Sequence, residues 1–388
     1  MRLFKRFDGI RADAAAALVL VVLVIAAFGI TATFGFVDYD DQEVVFNNPF
    51  VSAGLTWTGL RWAWGLESRP DTPDWFNWPL TWMTHQADCQ AYGLWAGGHH
   101  VTNIMLHAGG TVAIFAFLRT LPFSLGMAFV MAAIYGIHPA QIESVAWITS
   151  RKNVLSALFF FGSLYAFMRA HHAAGSRSSI PATLAWNALG MAALLSKATV
   201  ATLPLVLLLA DWWPLRRIRS ASGLWRCIQE KLFLLAFSVW TVVIGYRAQN
   251  SAGAIHISEP LLSRLEHAVQ AVAAYLWMFI SPVHLSPLYL CPEDSFFLTV
   301  TLVYGLLIGS ITMAALGVAR SSPGFTFGWL WFLLTLAPTV GLIPFGGQAW
   351  ACRHLQIPMA GLLIAGASVC VAATLRCRPS RGLAGPLP

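Results

Sequence analysis

The chain has 388 residues, of which 57% are hydrophobic and only 11% charged, and its formal net charge is +7. A soluble domain carries about a quarter charged residues, so this composition excludes a soluble globular protein and describes a polytopic membrane protein. The basic excess is a matter of sidedness, worked out below, and no basic-aromatic pattern points to nucleic acid.

The basic opening "MRLFKRFDGIR" leads into an apolar run too long for the core of a signal peptide and without a small-residue cleavage site, so it is expected to stay as an anchor. Apolar runs of about 18 residues or more predict about ten spans, near 14–36, 100–118, 122–138, 154–170, 180–196, 198–213, 231–248, 297–318, 325–344 and 355–375. The fold class is therefore all-α, a polytopic integral membrane protein forming one domain over 1–388. Cytoplasmic loops near span ends carry excess Lys and Arg. With the N-terminus inside, the cytoplasmic set is Arg2, Lys5, Arg6, Arg11, Arg119, Arg169, Arg177, Arg216, Arg217, Arg219, Arg226, Lys231, Arg320, Arg376, Arg378 and Arg381, sixteen of 24. Thirteen of the seventeen acids fall on the other side, all but Asp8, Asp13, Asp211 and Glu230. Both termini are thus expected in the cytoplasm of a cell bearing the protein in its inner or plasma membrane.

The first outer loop, 37–99, opens on "VDYDDQE". Adjacent carboxylates at a membrane boundary raise one another's pKa, so Asp40 and Asp41 read as serving a cation, a donor or a reaction, with a solvated loop as the plainer alternative; Asp38 supports them. The loop continues in short amphipathic helices dense in Trp, which read as an interfacial belt or as platforms for a sugar or prenyl chain. "HHVTN" puts His99, His100 and Asn103 at the mouth of the second span, as hydrogen-bonding groups without carboxylates at metal spacing.

"IHPAQIESVAWITSRKN", 137–153, is expected to open the helix of the fourth span at Pro139. At 100° per residue Glu143, Trp147, Ser150 and Arg151 then share a face. That stripe reads either as an internal salt bridge or as an anion site built from Arg151 or Lys152 with His138 nearby. Lys197, in "LLSKATVATLP", is an ionisable residue among apolar ones and a functional candidate on that ground. The segment 249–296 is extracytoplasmic, and within it 264–290 reads as an interfacial or re-entrant piece interrupted at Pro282 and Pro287, with a membrane hairpin as the alternative. Cys89, Cys291 and Cys352 fall outside, Cys227 and Cys377 inside and Cys370 in the last span, and no spacing suggests a metal site.

Five stretches taken together, "FVDYDDQEVVFNNPFVSAGLTWTGLRWAW", "WPLTWMTHQADCQAYGLWAGGHHVTNIMLH", "IHPAQIESVAWITSRKNVLSALFF", "SKATVATLPLVLLLADWWPL" and "GLIPFGGQAWACRHLQIP", resemble the membrane part of bacterial relatives of the tetratricopeptide-repeat transmembrane O-mannosyltransferases, of the GT-C class. The resemblance implies a multispanning enzyme that moves a sugar, mannose by analogy, from a polyprenyl-phosphate donor to a hydroxyl of a protein or glycan acceptor on the outer side. By the same resemblance Asp40 or Asp41 is the catalytic carboxylate of an inverting transfer, and Arg151, Lys152, Lys197 and Arg353 supply cations for the lipid phosphate. It implies no certain cofactor, a divalent cation being one option. The chain departs from the family where relatives read Asp-Arg-Tyr and it has Cys352-Arg353-His354, where they have His-Pro and it has Asn77-Trp78-Pro79, and where they have Lys and it has Met278. By the same resemblance the chain is expected to hold the membrane part alone, without the repeats that name the family. A catalytically degenerate partner of another glycosyltransferase and a transporter or flippase are the alternative functions.

Overall fold

In the computed structural model the described residues are 2–67, 78–174, 179–251, 260–286, 289–290, 298–342 and 348–376, with Gly253. Asn77, Pro287, Cys291, Cys377 and parts of 249–296 lie outside them. The chain is an all-α polytopic membrane protein, as its composition requires. Its helices are α1 (Arg2–Phe28), α2 (Pro49–Ser52), α3 (Trp57–Ala63), α4 (Pro79–Tyr92), α5 (Ala96–Leu118), α6 (Leu125–Ile137), α7 (Ile142–Ala146), α8 (Arg151–Ala174), α9 (Ile180–Ser196), α10 (Leu203–Trp212), α11 (Ala221–Ser251), α12 (Leu261–Ile280), α13 (Leu298–Gly317), α14 (Pro323–Leu336) and α15 (Gln356–Arg376). A two-stranded antiparallel ribbon pairs β1 (Tyr289–Leu290) with β2 (Gln348–Trp350).

Among the described residues six helices are long and apolar enough to span a membrane, and a seventh counts if the bent pair Leu125–Ile137 and Pro139–Ala146 is one span. That is fewer than the ten expected, because an apolar run is not a helix length. Pro139 has no N–H and disfavours helical backbone at His138, so the helix of the run at 122–138 ends at Ile137 and the chain turns by 50° into Pro139–Ala146. The runs at 180–196 and 198–213 are parted by extended backbone at Lys197, leaving α9 and α10 short of a bilayer's thickness, and α14 ends at Leu336. α12 is one unbroken helix that carries Arg264, Glu266 and His267 near its start and is not among the spanning helices.

α8 is central, packed between α5 and α9, while α1 lies against α5 and α6 and α14 lies along α15. Phe160 and Phe161 of α8 meet Trp331 of α14 and Tyr135 of α6 in an aromatic core. Gly328 and Gly361 let α14 and α15 touch backbone to backbone, since a Cβ on either would strike the other's carbonyl oxygen. Small caps fix the helices of the first loop. Asn48 accepts from Phe50 N at 3.1 Å to start α2, and Thr56 accepts from Gly59 N at 3.0 Å to start α3.

Candidate functional site

The expected single helix over 137–153 is in fact broken, and the break builds the site. α7 stops at Ala146, Trp147 takes an extended conformation, a short 3-10 turn covers Ile148–Ser150, and α8 begins at Arg151. The backbone carbonyls freed at the break need donors. Asn103 of α5 supplies its amide to Val145, Trp147 and Ile148 at 3.4, 3.2 and 3.3 Å, and its own carbonyl accepts from Arg151 Nε at 2.8 Å. Arg151 is wholly buried. Its remaining N–H groups reach the carbonyl oxygens of Thr84 at 3.1 Å and His99 at 2.9 Å and the carboxylate of Asp88 at 2.5 Å.

Arg151 therefore does not share a salt bridge with Glu143, because the break turns the two away from a common face. Glu143 instead holds Arg353: one carboxylate oxygen accepts from Arg353 N at 2.8 Å and the other pairs with its guanidinium. The Asp40–Asp41 pair also divides. Asp41 is 1% exposed, and its oxygens accept from Val37 N at 3.1 Å, from Thr149 N at 3.0 Å and from the Thr149 hydroxyl. It ties the end of α1 to the break. Asp40, next to it, is half-buried and faces Lys152 and Arg353. Burial raises its carboxyl above the ordinary aspartate range, the two cations draw it partly back, and Asp41 adds to the rise. Asp38 and Glu43 are exposed.

Aromatic rings surround these charges. Lys152 Nζ lies 4.4 Å from the centroid of the Trp78 ring, and the Arg353 guanidinium 5.5 Å from that of Trp147. Tyr39 is 5.5 Å from Trp147, centroid to centroid. Lys197, at the gap between α9 and α10, donates to Asn153 Oδ1. With Asn153, Thr199, Thr339, Arg353 and His354 it lines a crevice. His354 is held well below the ordinary histidine range by burial and by the nearby Lys197, Arg353 and Lys152. So Lys152 and Arg353 act on one half-buried acid, and Lys197 lies near both of them.

The other expected residues make hydrogen bonds within the protein. His138 caps the bend, accepting from Ala140 N at 3.2 Å and donating to Phe279 O at 3.2 Å through its second ring nitrogen. His99 bonds Gly93 O at 3.1 Å, and His100 bonds Gly35 O at 3.4 Å. Among the described residues no group of three His, Cys, Asp or Glu could hold a metal ion. The groups beside Asp40 are cations, which do not fit a divalent ion there. Cys89, Cys227, Cys352 and Cys370 are free thiols. The sequence reading missed Asp88, Thr149 and Asn153. Asp88 had a signal, since His85 and Asp88 lie three apart on α4, as facing partners do. Thr149 and Asn153 had none.

The fold defines a class, a polytopic helical membrane protein, here with an acid and several basic residues gathered at helix ends. The chain is similar to the human Protein O-mannosyl-transferase TMTC1, 30% identical over 200 residues that make up 48% of this chain and 22% of the relative. The Drosophila melanogaster Protein O-mannosyl-transferase Tmtc1 is 29% identical over 186 residues, 47% of this chain and 21% of the relative. The Caenorhabditis elegans Protein O-mannosyl-transferase F38B6.6 is 22% identical over 340 residues, 84% of this chain and 47% of the relative. The chain thus spans about a fifth to a half of the length of these relatives. No protein-family model and no solved structure matches it.

Proposed function

We propose that the chain is a membrane glycosyltransferase of GT-C type that moves a sugar from a polyprenyl-phosphate donor to an acceptor hydroxyl on the extracytoplasmic side, by inversion. The relatives' names point to mannose and to a protein acceptor. The observation that carries the reading is Asp40, a half-buried carboxyl whose pKa is raised by burial and drawn partly back by the charges of Lys152 and Arg353. A base of raised pKa accepts a proton more readily while the neighbouring cations keep enough of it ionised. Asp40 takes the proton of the acceptor hydroxyl as that oxygen bonds the anomeric carbon. The bond from that carbon to the phosphate oxygen breaks, and the electron pair leaves on the lipid phosphate. Lys152, Arg353 and Lys197 hold the charge that develops there. Trp78, Trp147 and Tyr39 supply faces for the sugar.

Asp41 and Arg151 take positioning roles in this scheme, holding the broken segment from which Trp147 and Lys152 project. No step is routed through a metal ion. Each of these charges stands at a helix end: Asp40 after α1, Lys152 at the start of α8, Lys197 between α9 and α10, Arg353 ahead of α15. A transport path calls for ionisable groups near the midplane, so this placement favours transfer over transport. Asp40→Asn is the test. It should lower turnover of a radiolabelled polyprenyl-phosphate sugar by about two to four powers of ten with donor affinity retained. Near-wild-type transfer by this variant, normally inserted, would remove Asp40 as the base.

A further inference from the structure

We infer that the bundle carries a site for an anionic bilayer phospholipid, its headgroup held by Arg216 and Arg219 and one acyl chain lying in the groove between α10 and α14. The site is independent of the transfer reaction and stands at the other end of the bundle from Asp40. Lys152 is at the start of α8, whereas His171, near the end of α8, lies 3.4 Å from Arg217. The polar half of the site is the loop after α10. Arg217 in that loop is already engaged: it donates to Asp211 and to both oxygens of Glu230, and its backbone N–H donates to Asp211 O at 2.8 Å. Its neighbours are not. Arg216 and Arg219 are exposed, and among the described residues neither pairs with an acid. Arg219 Nε donates to Arg216 O at 3.1 Å, and Arg216 sits at φ 53°, a costly backbone for a residue other than glycine. The clamp on Arg217 therefore fixes a loop that holds two unpaired guanidiniums on either side of Ile218 in the chain.

Ile218 is also where the groove begins. It lines the groove together with Leu205, Leu209 and Trp212, which share one face of α10, and with Leu330 and Leu333 of α14. Every lining residue is apolar, and Leu205 and Leu224 are exposed, so the groove opens to the side of the bundle, where lipid is the solvent. From Trp212 back to Leu205 the helix rises about 10 Å, and the hydrocarbon of one leaflet is about 15 Å deep. A chain rooted at the arginine loop thus ends within its own leaflet. Guanidinium groups pair with phosphate through two parallel hydrogen bonds. Two of them without acids favour a headgroup that brings no cation of its own, as in phosphatidylglycerol, over the zwitterionic phosphatidylcholine. Arg216 and Arg219 also belong to the set expected in the cytoplasm, the side whose leaflet is negatively charged. A second copy of this chain fits less well, because it would set like charges against each other.

Native mass spectrometry of the full chain, released from micelles holding equal amounts of phosphatidylglycerol and phosphatidylcholine with matched acyl chains, tests the site. Wild type should retain phosphatidylglycerol in preference by about tenfold or more. Arg216→Gln and Arg219→Gln should each cut that preference about fivefold. Arg169→Gln removes an exposed arginine of α8 that does not line the groove and should leave the preference unchanged. Leu330→Trp fills the groove and should reduce retention of both lipids alike. Should that variant not insert, Leu205→Trp obstructs the same groove from an exposed position. Equal retention of the two lipids by wild type would overturn the proposal. So would a loss in Arg169→Gln as large as in Arg216→Gln, which would reduce the effect to general surface charge. Wild-type retention in the inserted tryptophan variant would show that the chain does not lie in the groove. Displacement of phosphatidylglycerol by an equal amount of farnesyl phosphate would make the occupant a different lipid and overturn the assignment as well.

Discussion

Two charge clusters among the described residues are built on opposite terms. In the first, at the far ends of α8 and α10, Arg217 donates to Asp211 at 2.6 Å and to both oxygens of Glu230 at 2.9 and 2.8 Å. Lys231 pairs with Asp211, donates to Cys227 O at 3.1 Å and lies 4.7 Å from the Phe167 ring centroid. Two cations face two acids, and each has its partner. In the second cluster Lys152, Lys197 and Arg353 face Asp40 and Glu143, and a buried amide N–H is left over. A balanced network is complete without a ligand and acts as a clamp. A network with surplus cations and idle donors is complete only when an anion arrives.

Breaking the balanced cluster should have the largest effect. Asp211→Ala leaves Lys231 and Arg217 without one of their acids in a site where Asp211 itself is fully buried, and uncompensated buried charge costs about 3–5 kcal/mol. Thermal unfolding in detergent should show the loss, with prenyl-phosphate affinity unchanged in the protein that remains folded. An unaltered midpoint would mean that the cluster is no clamp. Arg151→Ala belongs with it, because the Arg151 guanidinium is fully buried and holds Asn103, Thr84, His99 and Asp88, and should act through stability and not through donor affinity.

That contrast between Arg151 and Lys152 marks where the sequence stops being legible. Composition and apolar runs were enough for an all-α membrane bundle, because burying backbone in lipid leaves helices as the available element. Six of the runs became full-length spanning helices. The remaining four gave helices of 10 to 17 residues, bounded by Pro139, by extended backbone at Lys197 and by the turn after Leu336. The break at Trp147 was the costlier miss. A regular helix over 137–153 predicts Glu143 beside Arg151 and Lys152 opposite, and the break reverses which residue faces the acid. The amide of Asn103 and the guanidinium of Arg151 stabilise that break from another helix, so no local pattern announces it. Asp40 and Asp41 were legible as a pair but not as two roles, since only the fold brings Thr149 to one of them.

Opening the unbalanced cluster should cost less in stability and more in binding. Lys197→Met keeps the length of the side chain and removes its charge. It should weaken prenyl-phosphate binding by about 1.5–3 kcal/mol, as for loss of one charge-assisted hydrogen bond. Its unfolding midpoint should fall little if at all, because a buried ammonium is costly to keep without an anion. A large fall in midpoint with intact affinity would place Lys197 in the clamp class and erase the contrast between the clusters.

The smallest effect expected is on pH dependence, and it reports on the geometry around Asp40 most directly. If Asp40 is the base, transfer needs its carboxylate, so activity rises with pH through the Asp40 pKa. Burial and Asp41 set that pKa above the ordinary aspartate value, and Lys152 and Arg353 act to lower it. Lys152→Gln removes one lowering influence, so the Asp40 pKa should rise and the acid limb of the transfer profile should move to higher pH. Asp41→Asn works in the opposite sense, taking away a raising influence, and should move the limb to lower pH wherever the Thr149 contact survives. The two variants together distinguish an electrostatic effect on Asp40 from a general loss of activity, which would lower the profile without moving it. A limb fixed in both variants would show that the titrating group is not Asp40, and that the surplus cations serve the phosphate alone.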